Sequence, residues 1–491
     1  MSTSCQIHSG KKYFWILGAL LLARCAALPI LPLVGTTEGR HAQISQRMVT
    51  SGDWVTPRLW TDGKLVPFMG KPPLFFWSSA VSMKIFGVNE FAARLPSLIS
   101  LAVILFLMWV VLVRYTDRCT AWRAMFICIS SSVIFVSSGL VIVDMMLTMG
   151  VAGALLAYYA FSQEQNRKIR KRWSILVFFM LALGFMTKGP VAIALVALPV
   201  MVWTVYFRKW QDLKDHAWFS GSIIFLIIVA PWFYLAETRN PGFLKYFFVN
   251  ENFLRFIIHD YGDKYGSGHE HIRGTAIIMM IGAAFPWSIY GVYRLFKCRS
   301  LYYIKKVFTD DKMSFFLFVV VVDTIFWSFA RQLLMTYLYP LVPLFAAWLA
   351  ILIKQQTERV HEDCRIFNMH AFTICLITTV LLVAATPIMS QRRSTRNLIE
   401  ISDVYSVEQN PKFYFVRNTP HSAYFYGKKR IISHPKEPVE TSLAAIRSNN
   451  SVIGFIRNKY YKRLSADERQ KIRVLEQYGK YILFRNMKES K

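Results

Sequence analysis

The chain has 491 residues, 54% of them hydrophobic and 15% aromatic, with a mean hydropathy of +0.33. That is too apolar for an ordinary soluble domain and too long for a single anchored module, so the chain reads as a polytopic membrane protein. Lys and Arg number 58 against 29 Asp and Glu, a formal net charge of +29; in a membrane protein this points to lipid-facing loops and an anionic ligand, and no aromatic-interleaved nucleic-acid motif accompanies it.

Tyr13 to Val34, behind the basic SGKKYF, is apolar and long enough to cross a bilayer. LLARCAAL has a faint likeness to a cleavage region, but Arg24 stands where a small residue is needed and the apolar run continues, which predicts an uncleaved anchor. GTTEGRHAQISQRM (35–48) follows, with Thr36 or Thr37 as the expected helix cap and Ile44 and Met48 on an apolar face, predicting an amphipathic helix lying on the membrane. Its first turn carries the only acid of the stretch, Glu38, followed by Arg40. GKPPLFFW places Lys71 before two prolines at the head of a short apolar stretch, 72–88, that carries Lys84 near its middle.

Further apolar segments lie near 96–114, 121–141, 145–162, 173–188, 190–207, 218–236, 274–296, 314–330, 334–353 and 367–389, for about eleven transmembrane helices with the first. If 72–88 lies along the interface, the basic loops at 113–123, 163–173, 207–214, 294–306 and 353–365 all fall in the cytoplasm, as the positive-inside rule asks. The outer face then holds 35–95, Asp144, Lys188, the loop 237–273, Arg331 and the tail after about 390, and it holds none of the seven cysteines, so no disulfide is expected.

Asp144, in GLVIVDMMLT, stands between two apolar spans with no basic neighbour in sequence; an acid at such a boundary is costly enough to read as functional. Lys188, in GFMTKGPVAIA, could face a phosphate or snorkel from a turn. In the loop 237–273, PGFLKYFFVNENFLRF ends on Arg255, and HDYGDKYGSGHEHIRG gathers His259, Asp260, Asp263, His269, Glu270 and His271 at a spacing that matches no standard zinc template. Arg331 opens RQLLMTYLYP, which contains Tyr337. Beyond 390, short β-like runs (KFYFV, RIISH, VIGFI, YILF) alternate with helical stretches, predicting a small C-terminal α/β domain over 390–491 after a transmembrane domain over 1–389.

GTTEGRHAQISQRMVTSGDWVTPRL, GKPPLFFW, KIFGVNEFAARLPS, Asp144, MTKGP, PGFLKYFFVNENFLRF, the histidine before AAFPW and RQLLMTYLYP occur in the order found in the bacterial polyprenyl-phosphate-sugar transferases. The chain resembles that family, which includes the lipid A aminoarabinose transferase and is related to the dolichyl-phosphate-mannose protein mannosyltransferases. The resemblance covers about residues 12 to 353 and implies an all-α polytopic fold of the GT-C glycosyltransferase type. It further implies a bacterial inner-membrane enzyme, facing the periplasm, that moves a sugar from a polyprenyl-phosphate donor to lipid A or another anionic envelope acceptor. It carries donor-phosphate or substrate contacts to Lys71, Lys188 and Arg331, with Arg40, Arg255 and Tyr337 beside them, an acidic role to Asp144, and a substrate-side or metal-side role to His269. A divalent metal near His269 is the only cofactor in view, and a monomer is expected.

The departures concern acids. Where the family has an aspartate in the first loop this chain has Gly35 or Thr37, its Glu-Lys-Pro is Gly70-Lys71-Pro72, and a glutamate usual in the helix is Gln43. Glu38 and Asp144 are left as catalytic candidates. A phosphate acceptor, whose second pKa is about 6, needs a base least. A non-catalytic lipid-phosphate binder and a lipid-linked sugar transporter are the alternatives; the spans show no half-to-half repeat of the kind many transporters carry.

Overall fold

The computed structural model describes residues 2–61, 64–258, 270–297, 309–360, 394–405, 411–432, 438–447 and 452–486. They fall into two compact units: one drawn from Met1–Ala27, Met69–Phe75 and Arg94–Thr378, the other from Leu28–Phe68, Phe76–Ala93 and Thr379–Lys491. Most of the 35–95 loop therefore groups with the tail.

The first unit is helical. Glu90–Tyr115, Val143–Gln163 and Trp218–Arg239 are long and apolar enough to cross a membrane, and Thr275–Ala283 with Trp287–Phe296 makes a fourth if counted as one span bent by 101°. The expected count of about eleven is not reached among the described residues. Phe14–Ala27, Val191–Tyr206, Met313–Ser328 and Leu341–Gln356 are apolar but shorter, and 367–389 lies outside the described residues. The expected span at 121–141 is broken into Arg118–Ser130 and Ser132–Ser137. At that break the Ser130 and Ser131 hydroxyls donate to the Phe126 and Ile127 carbonyls one turn back, a side-chain competition with the helix ladder that bends or ends helices.

The centre of this unit is an antiparallel pair, Val143–Gln163 and Arg167–Lys188. Asn166 turns the chain between them, its side-chain oxygen accepting from the Lys168 and Ile169 amides at 3.0 and 3.3 Å. Gly150 and Gly184 let the two backbones meet: a Cβ on Gly150 would stand 2.6 Å from the Gly184 Cα. Because the pair is antiparallel, the start of one helix, with Asp144, lies beside the end of the other, with Lys188. Gly189 ends the second helix at φ +77°, where its hydrogen leaves room for Phe247; a Cβ there would stand 2.5 Å from that ring. Phe247 belongs to a continuous helical segment, Phe243–Lys245, Tyr246–Leu254 and Arg255–Ile257, whose middle part is a π-helix.

In the second unit the tail forms a mixed five-stranded sheet. Its strands are β3 (Lys412–Phe415), β4 (Ile431–Ile432), β5 (Val452–Arg457), β6 (Ile472–Tyr478) and β7 (Tyr481–Asn486), in the order β4-β3-β5-β7-β6. β3 pairs in parallel with β4 and β5, while β7 pairs antiparallel with β5 and β6. Strand alternation sends Phe413 and Phe415 to a cluster with Leu398 and Ile399, and Tyr414 and Val416 to the opposite cluster with Leu443 and Ile446. A two-stranded ribbon, β1 (Arg58–Thr61) with β2 (Lys64–Pro67), completes the unit's strands.

The helix Gly35–Ser51 is not the surface helix its pattern predicts. Residues from Glu38 to Met48 are buried apart from Arg40 and Arg47, because the helix packs along His421–Gly427. Gly39 makes that packing close, since a Cβ there would stand 2.5 Å from the Ser422 amide nitrogen. No threonine caps it: the residue before it is Val34, and the Glu38 carboxylate accepts the Val34 N–H at 2.9 Å.

Replacing Gly189 with Ala should lower stability by about 1–3 kcal/mol, because it combines a left-handed backbone with a clash against Phe247. Thermal unfolding of the detergent-solubilised protein measures it; a transition temperature equal to the parent's would show that this junction tolerates a side chain.

Candidate functional site

The loop before Leu74–Phe86 carries Lys71, whose Nζ donates to Glu251 Oε1 at 2.7 Å. Arg255 Nη1 donates to the same oxygen at 2.9 Å, and its Nε donates to Gln332 Oε1 at 2.8 Å. The Glu251 side chain is 4% exposed and those of Lys71 and Arg255 are 19% exposed, so one sequestered carboxylate oxygen holds two cations. Burial pushes the Glu251 carboxyl up, but the charges and hydrogen bonds of Lys71 and Arg255 outweigh it and hold the group below the ordinary glutamate value.

The second ionic group is Asp144 with Lys188, Nζ to Oδ1 at 2.6 Å. Asp144 was expected to stand alone; its partner lies on the neighbouring helix, 44 residues on. Asp144 occupies the first turn of its helix, where the free amides favour negative charge. Lys188 Nζ also lies 3.7 Å from the Tyr337 ring centroid, a cation–π contact, and Tyr337 in turn packs on Trp327. The charges of Lys71, Arg255, Asp144 and Glu251 all act on the Tyr337 hydroxyl, and those of Glu251 and Arg255 on Lys188, so the two ionic groups form one field.

Arg331 is half-buried and stands next to Gln332, with its backbone N–H donating to the Phe256 carbonyl at 3.2 Å. Its guanidinium has no acidic partner among the described residues. The His271 N–H meets the Arg331 carbonyl at 3.4 Å, and Glu270 pairs with Gln332 across an isolated bridge. His259, Asp260, Asp263 and His269 lie outside the described residues. Among those described, no three His, Cys, Asp or Glu side chains gather closely enough to hold a metal ion, and both acids of the cluster are committed to cations. Glu38 and Arg40 belong to the second unit, where Glu38 is buried as the helix cap and Arg40 lies over the Phe68 ring at 5.9 Å.

The sequence reading missed Glu251 and Gln332. Glu251 had a usable signal: it stands four residues before Arg255 in a helical stretch, the spacing of an acid–base pair on one helix face. Gln332 had none, since its partner is 77 residues away.

Buried cations thus gather near one end of the central helix pair of the helical unit. Residues 33–247 match the family described as dolichyl-phosphate-mannose-protein mannosyltransferase. The chain is 26% identical over 362 residues to the undecaprenyl phosphate-alpha-4-amino-4-deoxy-L-arabinose arabinosyl transferase of Aeromonas salmonicida, covering 72% of this chain and 62% of that protein. It is likewise 26% identical over 377 residues to the transferase of the same description in Serratia proteamaculans, covering 74% and 65%. The match thus spans under two thirds of these relatives' lengths. In fold, ArnT from Cupriavidus metallidurans, solved bound to undecaprenyl phosphate, superposes with a TM-score of 0.76 at 18% identity, covering 97% of this chain and 98% of that one. The oligosaccharyltransferase AglB from Archaeoglobus fulgidus gives 0.52 at 10% identity, covering 98% and 75%. The chain is therefore similar in sequence to lipid-phosphate-dependent sugar transferases over part of their length, and shares the fold of the solved ones.

Since the folded Glu251 value is depressed, its pairing stabilises the protein above the unfolded glutamate pKa of about 4.3 and that contribution is lost as pH falls through the lower folded value. Glu251→Gln should lower stability at pH 7 by roughly 1–3 kcal/mol and flatten the loss of stability below pH ~4, because the neutral amide has no proton to take up. Melting curves across pH test both; parallel pH profiles for parent and variant would contradict the pairing.

Proposed function

We propose that the protein is a multi-pass inner-membrane glycosyltransferase that moves a sugar from a polyprenyl-phosphate donor to an anionic acceptor such as a phosphate of lipid A, on the periplasmic face. The observation that carries this reading is a pair of buried ion groups, Lys71 and Arg255 on Glu251 and Lys188 on Asp144, in which three cations face two carboxylates among the described residues. The similarity to the aminoarabinose transferases supports the reaction class, and the distribution of basic loops supports the sidedness.

In the transfer, an acceptor oxygen forms a bond to the anomeric carbon as the bond from that carbon to the donor phosphate oxygen breaks. The electron pair leaves with the polyprenyl phosphate, and fixed cations in a water-poor site lower the barrier to that separation. Lys71 and Arg255 are oriented in advance by Glu251, and Arg331 adds a charge that no described acid neutralises. A phosphate acceptor arrives largely ionised near neutral pH, so no base is required of the protein. Asp144 then serves to fix Lys188, and Glu38 to cap its helix, with neither taking a proton.

Mass spectrometry of lipid A and other envelope glycans should show a sugar that disappears when the gene is deleted and returns with the intact protein. Lys71→Ala should reduce transfer about 10²–10³-fold, the usual cost of removing one preorganised charge from a developing oxyanion. Asp144→Asn should reduce it less, by misplacing Lys188. Glu38→Gln, which keeps a capping oxygen, should retain near-parental transfer. Glycans unchanged by deletion would favour a non-catalytic binder; an inactive Glu38→Gln protein of normal stability would make Glu38 a base.

A further inference from the structure

In the sheet of the tail, β3 and β5 lie side by side and parallel, yet the chain leaves them toward opposite faces. After β3 the helix His421–Gly427 places Ala423 in the cluster with Phe413 and Phe415. After β5 the segment Asn458–Tyr461 packs Tyr460 and Tyr461 against the opposite cluster, with Leu443 and Ile446. Where neighbouring parallel strands part in this way, their carboxyl edge opens as a crevice, the place where such sheets take up ligands. Here it holds a cavity of about 600 Å³, bounded by Arg417 and Asn418 after β3, Tyr460 and Arg463 after β5, and Glu440 from the helix Val439–Arg447.

The chain is strained at the residue that reaches across. Arg417 has φ +72°, and the Asn418 N–H donates to the Val416 carbonyl at 3.0 Å, closing a three-residue turn that an L residue seldom adopts. Its guanidinium lies over the Tyr460 ring, 5.0 Å from the centroid, and Lys459 lies over the same ring at 4.8 Å. Burial pushes the Tyr460 hydroxyl up, but its hydrogen bond with Lys459 and the charges of Lys459, Arg417 and Arg457 outweigh it and hold the group below the ordinary tyrosine value, the mark of a positive field. No described acid pairs with Arg417 or Arg463. Other acids of the tail are engaged elsewhere: Glu400 with Arg396, Asp403 with Arg430, Asp467 with Lys471, and Glu468 with its own helix cap. Glu440 meets no described cation, so two arginines and one carboxylate, on three separate segments, face the crevice uncompensated.

We propose that this crevice binds a short acidic peptide with a free amino end, its carboxylates on Arg417 and Arg463 and its ammonium on Glu440. The planar guanidinium fork matches a carboxylate two bonds at a time, and the single glutamate selects for an amine over a purely anionic ligand. Every group involved belongs to the second unit, and the assignment does not depend on transfer chemistry at Lys71.

The test is calorimetric titration of the full-length protein in detergent with L-glutamyl-L-glutamate, its N-acetylated form, L-glutaminyl-L-glutamine, L-glutamate and inorganic phosphate. The acidic dipeptide should bind at least ten-fold more tightly than the others, since each lacks a charge or a span that the crevice matches. Arg417→Ala and Arg463→Ala should each weaken it ten-fold or more, with partial rescue by Arg463→Lys. Arg417→Gly should weaken it equally while keeping or raising thermal stability, because glycine adopts the left-handed backbone freely; this separates a ligand contact from a folding defect. Glu440→Gln should weaken the dipeptide and leave its N-acetylated form unchanged. Lys171→Ala and Arg172→Ala, which remove exposed cations of the other unit, should change nothing. No binding at millimolar dipeptide, phosphate binding as tightly, or equal losses from the Lys171 and Arg172 variants would overturn the proposal. Free L-glutamate binding as tightly as the dipeptide would overturn the peptide in favour of a free amino acid.

Discussion

A single buried carboxylate oxygen, Glu251 Oε1, holds Lys71 and Arg255 at 2.7 and 2.9 Å, and the arrangement of the helical unit around its charged centre depends on it. Two like charges 4 Å apart repel by about 4 kcal/mol at an effective dielectric of 20, so cations cannot be brought together under cover without an acid between them. The acid is itself held in place by fold rather than by sequence neighbours. It lies in the π-helical stretch Tyr246–Leu254, a wider winding that is uncommon and recurs at functional sites.

The same segment links this clamp to the second ionic pair. Phe247, four residues before Glu251, fits against Gly189, and Gly189 ends the helix whose last residue is Lys188. A side chain at 189 would push apart the two elements that carry the two charge groups. Small residues also set the hairpin geometry, since Gly150 against Gly184 allows the close approach that brings Asp144 within 2.6 Å of Lys188. Charge and packing are thus one constraint: an ion pair that is expensive to bury persists where glycine lets backbones close around it.

How legible this was in the sequence varied with range. Helical membrane character followed from composition, and KFYFV was legible as a β-like run, while the structure adds that Phe413 and Phe415 enter one cluster and Tyr414 the opposite one. Lys71, Asp144, Lys188, Arg255 and Tyr337 were singled out from local motifs, and the structure brings these five into one electrostatic cluster. What one-dimensional reading could not supply was pairing. Asp144 looked solitary because its partner is a helix away, and of the two cations on Glu251 one, Lys71, is 180 residues distant. The helix Gly35–Ser51 was misjudged for the opposite reason: its polar pattern fits a membrane surface, yet Gln46 and Ser45 are spent on buried hydrogen bonds.

The missing acids of the first loop now have a physical reading. With Gly70 beside Lys71, the negative charge facing that lysine comes from Glu251 instead, and the first-turn Glu38 is committed to its own helix. What such a centre offers an incoming ligand is preorganised positive charge. The central claim is tested most directly by measuring the affinity of the purified, detergent-solubilised protein for polyprenyl phosphate, with and without Arg255→Ala. The account predicts a loss of ten-fold or more in affinity in a variant that still unfolds cooperatively; equal affinity for parent and variant would contradict it.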